Sequence, residues 1–177
     1  MPRASSVIAA GHRHNRPVAD TVILDYAQRN AQKLTITGAK GSVIDIDLHQ
    51  PVLLRTDDLL VLDDGTLVEV VAASEPLIEA RLADVAGLAR LVWHLGDRHV
   101  PVQILPNRVR ARRDNAIESL LASLGAELVM IEAPFEPEGG AYAQQSNAAC
   151  DHHDHDHDHD NGHDHGHAHR HHHHKHD

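Results

Sequence analysis

The chain has 177 residues, enough for one ordinary domain or for two small ones with a tail, and we predict the second organisation. Its 26 acidic residues outnumber its 16 lysines and arginines, and the resulting net charge of −10 would repel a nucleic-acid backbone. Aromatic residues make up only 2% of the chain, which argues against stacking on bases or sugars, so we expect no nucleic-acid partner.

We expect no targeting signal from the sequence as printed. The apolar run at residues 7–10 is too short for the hydrophobic region of a signal peptide. No apolar stretch approaches the roughly 18 to 20 residues that a membrane span needs. Cys150 is the only cysteine, so no internal disulfide can form. We therefore expect a soluble cytoplasmic protein without a membrane partner.

The first part of the chain is typical of a small all-β domain, which we place at residues 1–75. Residues 18–73 are rich in Val, Ile, Leu and Thr, contain turn residues at short intervals and show no helical periodicity. Residues 43–48 alternate as a half-buried strand does. Residues 59–62 and 67–71 flank an Asp-Gly turn, which predicts a hairpin.

The pattern changes at Glu75, and we place a second domain at residues 76–150. Asp84 is a plausible N-cap for a helix that we expect to end at Gly96. The predicted elements, in chain order, are a strand at 77–82, this helix, strands at 100–105 and 109–112, a helix at 114–124 and a strand at 128–131. This β-α-β-β-α-β order is that of a ferredoxin-like domain, so the predicted fold class is α+β. Residues 134–140 contain Pro and Gly and are predicted to be a connector.

Residues 151–177 form a tail of different composition, in which 14 of 27 residues are histidine and seven are aspartate. The segment contains no large aliphatic or aromatic residue, so we predict that it is disordered without metal. Imidazole and carboxylate groups suit Ni(II), Zn(II), Cu(II) and Co(II). The candidate ligands of the tail are His152, His153, His155, His157, His159, His163, His165, His167, His169, His171, His172, His173, His174 and His176.

The composition of the tail does not by itself define its role. A purification tag is normally a plain histidine run, whereas this segment alternates His and Asp over many positions. A metal buffer and a delivery segment both remain open. The affinity order of divalent metals places Cu(II) above Ni(II), so selection of nickel would have to come from availability or from a partner. Ordering of the chain around each ion lowers affinity and favours exchange.

Outside the tail, the candidate ligands are His94, His99 and Cys150. The two histidines bound the sequence HLGDRH at a predicted helix end, where side chains more often contact the helix terminus than a metal. Cys150 is either a thiolate donor at the edge of the tail or an unengaged thiol. His12, His14 and His49 are scattered, and we expect them to be structural or solvated.

No catalytic pattern is present in the sequence. It contains neither a Gly-rich phosphate loop nor a Ser-His-Asp or Cys-His nucleophile arrangement. A metal-dependent hydrolase would need a fixed open site with a nearby general base, and only His94 and His99 are candidates in the ordered part. We therefore predict that the protein is not an enzyme.

Two segments, WHLGDRHVPVQIL at residues 93–105 and PFEPEGGAY at 134–142, closely resemble the signature of the urease accessory protein E family of nickel metallochaperones. The resemblance covers about residues 18–150. It implies a β-rich N-terminal domain similar to the peptide-binding module of Hsp40 chaperones, then a ferredoxin-like metal-binding domain. A His-rich tail often follows in that family, as it does here.

The resemblance also implies site residues and partners. His99 would bind nickel across the two-fold axis of a homodimer, and His94 would be the motif's other histidine. Asp97 stands where Asn is usual, and residues 112–115 lack the histidine pair that forms a peripheral site in some members. The implied partners are an accessory GTPase and a complex of urease apoprotein with other accessory proteins. The expected function is delivery of Ni(II) cargo to urease, and the alternative is nickel or zinc storage by the tail.

Because a histidine must be neutral to bind metal, protons compete with nickel near its usual pKa of about 6.5. We predict that the tail releases most of its nickel as the pH falls from about 7 to about 5. Equilibrium dialysis of the nickel-loaded chain over this range measures the release, and a chain ending at Ala149 is the control. Unchanged nickel content at the lower pH would rule out histidine ligation in the tail.

Overall fold

A computed structural model describes residues 1–12 and 17–139 of the chain. The tail at 151–177, and with it the predicted disorder, lies outside the described residues. The strands are β1 (Arg3–Ile8), β2 (Asp20–Leu24), β3 (Lys33–Thr37), β4 (Val43–Asp47), β5 (Leu59–Leu62), β6 (Leu67–Ala72), β7 (Ser74–Arg81), β8 (Gln103–Leu105), β9 (Arg108–Arg112) and β10 (Glu127–Pro134). The helices are α1 (Tyr26–Arg29), α2 (Val85–Asp97) and α3 (Asn115–Ser123), and a 3-10 turn spans Ala10–His12. None of the helices in these ranges is long and apolar enough to cross a membrane.

The first six strands form one mixed sheet in the order β2-β6-β5-β1-β4-β3. The predicted β5–β6 hairpin is confirmed, and Gly65 in its turn has a φ of 82°, a conformation that glycine adopts without strain. Alternate residues of the strands point to one side and form the core. Its fully buried members include Val22, Ile44, Ile46, Leu54, Leu60 and Val70.

Two elements of this first domain differ from the sequence prediction. Strand β1 lies in the middle of the sheet, between β5 and β4, although the pattern placed the β-rich region only from residue 18. The short helix α1 interrupts a region where no helix was predicted. It is stabilised by a capping box, in which Asp25 and Gln28 each accept a hydrogen bond from the other's backbone N–H. Four residues are too few to show a helical period.

The remaining elements form the predicted β-α-β-β-α-β domain. Its sheet has the order β10-β7-β9-β8, and every neighbouring pair is antiparallel. Both helices pack on one face, because the core contains alternate strand residues together with the apolar sides of α2 and α3. This core includes Ile78, Ala80, Leu88, Leu91, Leu95, Val109, Ala111 and Leu121. The fold class predicted from the sequence is therefore confirmed for the described residues.

Several boundaries in the second domain need correction. Helix α2 continues through Gly96 to Asp97, so Gly96 does not end it. Strand β8 has only three residues, because Pro101, which has no N–H to donate, keeps the first half of the predicted segment out of the sheet. Residues 135–138 are not merely a connector, since Phe135 and Pro137 are buried. These four residues cross from the end of β10 to the start of β8.

Arg29, at the end of α1, joins the two sheets. Its side chain is completely buried, with 0% exposure. Its Nη1 donates to the carbonyl oxygen of Leu54 at 3.2 Å and lies 3.3 Å from Oε1 of Glu136, while Nη2 donates to the carbonyl oxygen of Phe135. Glu75, at the start of β7, is 4.0 Å from the same guanidinium. Burial of this charge is tolerated because carboxylates and carbonyls surround it.

Aromatic and polar contacts complete this joint. The rings of Tyr26 and Phe135 meet edge to face with 5.4 Å between centroids, and the guanidinium of Arg112 lies 5.0 Å from the Tyr26 ring centroid. The backbone N–H of Tyr26 donates to Oε1 of Glu75 at 2.8 Å. Glu136 also accepts from the backbone N–H of Thr56 at 3.1 Å and from its hydroxyl at 2.9 Å. Residues 135–136 are therefore anchored to the first domain.

We predict that Arg29→Ala lowers the free energy of unfolding by about 3 to 5 kcal/mol, because the carbonyls of Leu54 and Phe135 and the carboxylate of Glu136 lose their cation. The matched control is Arg3→Ala, which removes an ion pair with Asp47 at 2.8 Å on a side chain that is 57% exposed. That change should cost less than about 1 kcal/mol. Urea denaturation monitored by circular dichroism measures both. Equal losses would contradict a special role for Arg29.

Candidate metal centre

Helix α2 carries the predicted His94 and has two unlike sides. Asp84 is its N-cap and accepts a hydrogen bond from the backbone N–H of Gly87 at 2.7 Å, which confirms the predicted start. One side buries Leu88, Leu91 and Leu95 in the core. A second, exposed side carries Val85, Ala89 and Trp93 at helical spacing, and Val85 and Trp93 are 83% and 64% exposed. We call these three residues the α2 stripe.

His99 occupies the position at which a helix most often has glycine. Arg98 is the C-cap of α2, and His99 follows it with a φ of 54°. The backbone N–H of His99 donates to Gly96 O at 2.9 Å, and that of Val100 donates to Leu95 O at 3.0 Å. These two bonds define a Schellman motif, in which glycine is preferred because a left-handed conformation is strained for other residues. The side chain of His99 is exposed to solvent.

His94 lies one turn earlier and is half-buried. Its ring meets that of Trp93 edge to face, with 5.0 Å between centroids. Its carbonyl oxygen accepts a hydrogen bond from Nη1 of Arg98 at 2.9 Å, so the C-terminal contact expected of this motif is present. Asp97 is exposed, with a carboxylate oxygen 4.0 Å from the Arg98 guanidinium.

No group of three His, Cys, Asp or Glu residues able to hold a metal occurs within residues 1–12 and 17–139. Imidazoles alone at one helix end leave most of a nickel coordination shell open. Any ion bound by His99 therefore needs further ligands from beyond the described part of the chain, from a second copy of the protein, or from water.

The other candidate ligands divide into two groups. Cys150 and the tail histidines lie outside the described residues, as does His14. His12 and His49 are exposed, in agreement with the expectation that they are solvated. In the segment that lacks the peripheral histidine pair, Arg113 pairs with Glu118 at 3.0 Å and Arg112 contacts Tyr26, so both side chains have structural partners.

The chain leaves the described region close to this helix end. The backbone N–H of Glu138 donates to Val102 O at 2.7 Å, and the Glu138 carboxylate accepts from the backbone N–H of Ile104 at 3.4 Å. Val102 is three residues after His99 in the sequence. The segment that continues towards Cys150 and the tail therefore starts beside the strand that follows His99.

Because the left-handed conformation disfavours a Cβ atom, we predict that His99→Gly is more stable than His99→Ala by about 1 kcal/mol. The matched control is Arg98, whose φ of −93° is unstrained for residues other than glycine. There the order should reverse, with Arg98→Ala more stable than Arg98→Gly. Thermal unfolding of the four variants measures both differences. Greater stability of His99→Ala than of His99→Gly would contradict the assigned conformation.

Comparison with known proteins shows similarity over both domains. The model of the UreE urease accessory protein N-terminal domain matches residues 5–73, and that of the UreE C-terminal domain matches residues 75–177. A urease accessory protein UreE from a Bradyrhizobium species is 51% identical over 155 residues, covering 87% of this chain and 75% of the relative. A UreE from Beijerinckia indica is 47% identical over 154 residues, covering 87% of each chain. A UreE from Rhodopseudomonas palustris is 50% identical over 152 residues, covering 86% of this chain and 72% of the relative.

These matches bear out the resemblance that the motifs at 93–105 and 134–142 indicated. Identity near one half over most of both chains is far above what a shared fold alone produces. The order of the two domain models along the sequence is also that of the two sheets. The chain belongs to the UreE family of urease accessory proteins.

Proposed function

We propose that this protein binds Ni(II) and delivers it to urease apoprotein while the urease active site is assembled. Membership of the urease accessory family supports the setting. The observation that carries the metal role is His99, an exposed imidazole held in a conformation that costs stability. A strained residue at a solvent-exposed position is a reason to assign function to its side chain. The protein acts as a carrier and not as an enzyme.

The α2 stripe supports a homodimer built around His99. Val85, Ala89 and Trp93 expose apolar surface on the helix that ends beside this histidine. Apolar surface grouped on one helix favours burial against a partner. A two-fold axis near the C-terminal end of α2 would bring two copies of His99 together, since an isologous interface pairs each patch with its own copy. One residue would then supply two ligands to one ion.

An ion held by two imidazoles exchanges easily because its remaining positions are open to other ligands. In the proposed sequence of events, the tail gathers nickel and the His99 pair accepts one ion. His94 and Cys150 are further candidate ligands. The hydrogen bond from the backbone N–H of Glu138 to Val102 O supports this transfer, because it fixes the last described residues before the tail beside the segment that follows His99. Zn(II), Cu(II) and Co(II) are expected competitors for the same ligands.

The partners we propose are those of urease assembly. An accessory GTPase would exchange nickel with this protein, and a complex of urease apoprotein with other accessory proteins would receive it. Both steps would take place in the cytoplasm. They require ligand exchange only, so neither asks for covalent chemistry from this chain.

Storage or buffering of nickel or zinc is the second candidate, and the composition of the tail favours it. Fourteen histidines within 27 residues exceed what the transfer of a single ion requires. The two functions differ in what the tail is needed for. A carrier without its tail should still activate urease when nickel is plentiful, whereas a store without its tail has no capacity left.

We predict that a chain ending at Ala149 binds one nickel ion tightly per dimer and that His99→Ala abolishes this site. The reason is that two copies of the imidazole supply the fixed ligands. Isothermal titration calorimetry at neutral pH measures the stoichiometry, and analytical ultracentrifugation measures the dimer. His49→Ala is the matched control, since His49 is exposed and lies in the other domain. If the chain ending at Ala149 bound no nickel tightly with His99 intact, the proposed interface site would be wrong.

We further predict that, in cells dependent on this protein for urease activation, His99→Ala lowers urease activity at limiting nickel much more than His49→Ala does. Protein abundance is measured alongside activity, so that loss of folding is recognised. Full urease activity with His99→Ala, together with lost activity on removal of the tail at every nickel concentration, would favour storage over delivery.

A further inference from the structure

The sheet of the second domain has one face turned away from α2 and α3. Core residues Ile78, Ala80, Val109 and Ala111 face the helices, so the alternate residues of β7 and β9 face the other way. On that side lie Glu79 and four arginines, which we call the arginine face: Arg81, Arg108, Arg110 and Arg112. Every second residue of β9 is therefore an arginine on this side.

Three of these arginines surround a single carboxylate. Glu79 is 2% exposed and accepts from Arg81 Nε at 2.9 Å and from Arg110 Nε at 2.8 Å. Arg108 Nε lies 3.3 Å from the same carboxylate but makes no hydrogen bond. Burial by itself would raise the pKa of Glu79, yet the hydrogen bonds from Arg81 and Arg110 and the charges of Arg108 and Arg110 outweigh it and hold the pKa below its usual value.

The arginine face retains an excess of positive charge. Glu127 is opposite Arg81 on β10 and faces the same side. Because Arg112 belongs to the joint, three arginines meet two carboxylates away from it. At the end of this face that lies next to the joint, the Glu75 carboxylate already accepts a hydrogen bond from Tyr26 N–H and lies 4.0 Å from the guanidinium of Arg29. The side chains of Arg81 and Arg108 remain 45% and 35% exposed. In a protein whose net charge is −10, an exposed basic surface of this kind is suited to an anionic partner.

The tail of this chain has the complementary pattern. Asp154, Asp156, Asp158 and Asp160 occupy every second position, as the arginines of β9 do. In an extended chain, residues two apart lie about 6.6 Å apart on one side, so both rows would have the same repeat. The intervening residues are histidines, and they would point to the opposite side.

The tail can also reach this surface. The described chain runs beside β8 at Glu138, and Gln103 of β8 is in register with Arg110. Adjacent strands are about 4.8 Å apart. From Glu138 to Asp151 there are 13 residues, and even a flexible segment of that length spans about 20 Å on average.

We propose that the aspartate-rich segment at residues 151–160 docks on the arginine face of its own chain. Carboxylates of the segment pair with Arg81, Arg108 and Arg110, while its histidines point towards solvent. The docked segment thus presents a row of imidazoles to incoming cations. This inference does not depend on nickel delivery, because it concerns the metal-free protein and its charges alone.

Cys150 allows a direct test in the whole chain, because it is the only cysteine and directly precedes the segment. A nitroxide attached to Cys150 broadens the backbone amide signals of residues near it. With metal-free, isotope-labelled protein at neutral pH and low salt, we expect broadening across β8 and β9 and little across β3. The broadening should disappear at high salt, where the screening length falls to about 3 Å at 1 M.

Two sets of tail substitutions separate charge from simple proximity, and neither alters the folded domains. The first is Asp154→Asn, Asp156→Asn, Asp158→Asn and Asp160→Asn, and it should abolish the broadening. The matched set is His153→Gln, His155→Gln, His157→Gln and His159→Gln, and it should preserve it. On the arginine face, the proposed partner of the tail segment, Arg81→Gln should weaken the broadening.

Broadening that survives the aspartate substitutions would show only that the tail is tethered nearby, and it would overturn the proposal. So would loss of broadening in the histidine set. If the intact chain shows no broadening of β8 and β9, the arginine face is left for an acidic segment of another protein, and docking of the chain's own tail is wrong.

Discussion

A single buried guanidinium constrains the arrangement of this molecule. Arg29 has no exposure to water, so its charge is stable only where oxygen atoms converge on it. Those oxygens come from Leu54 in the first domain and from Phe135 and Glu136 after the last strand of the second. Neither domain surrounds the arginine alone. The relative position of the two sheets is thereby tied to the end of β10.

This constraint also determines the course of the chain after β10. Because residues 135–136 are fixed at the joint, the chain crosses to β8 and pairs with Val102 before it leaves the described region. His99, which follows the end of α2, lies three residues before Val102 in the sequence. A joint between domains thus positions Glu138, from which the chain continues towards the tail, near the candidate ligand, although it contains no ligand itself.

Much of the fold was predictable because its signals are local. Asp84 and Asp114 mark helix starts by the chemistry of their own side chains, and the turn at Gly65 marks the hairpin. Strand β1 was missed because its sequence, RASSVI, does not alternate and its place is decided by distant partners. Arg29 was missed for the same reason, since its partners are 25 to 107 residues away in the chain.

The candidate metal centre was predictable only in part. The motif at 94–99 identified the two histidines, but the sequence placed the helix end at Gly96 and therefore overlooked the left-handed backbone of His99. Glycine has a low helix propensity, so Gly96 has the sequence character of a helix end although it lies inside α2. The sequence also could not show that the described residues supply no complete ligand set, because that depends on three-dimensional proximity.

The backbone at His99 bears on how this position responds to mutation and selection. Helix termination needs a left-handed residue there, and glycine would serve that need with less strain. Folding stability thus gives no advantage to the imidazole, and random change would tend to replace it. If His99 is the metal ligand that we propose, a substitution to glycine would remove the ligand and leave a well-folded protein that cellular quality control does not remove. Such a chain would accumulate to normal levels and compete with intact copies for every partner that recognises the rest of its surface.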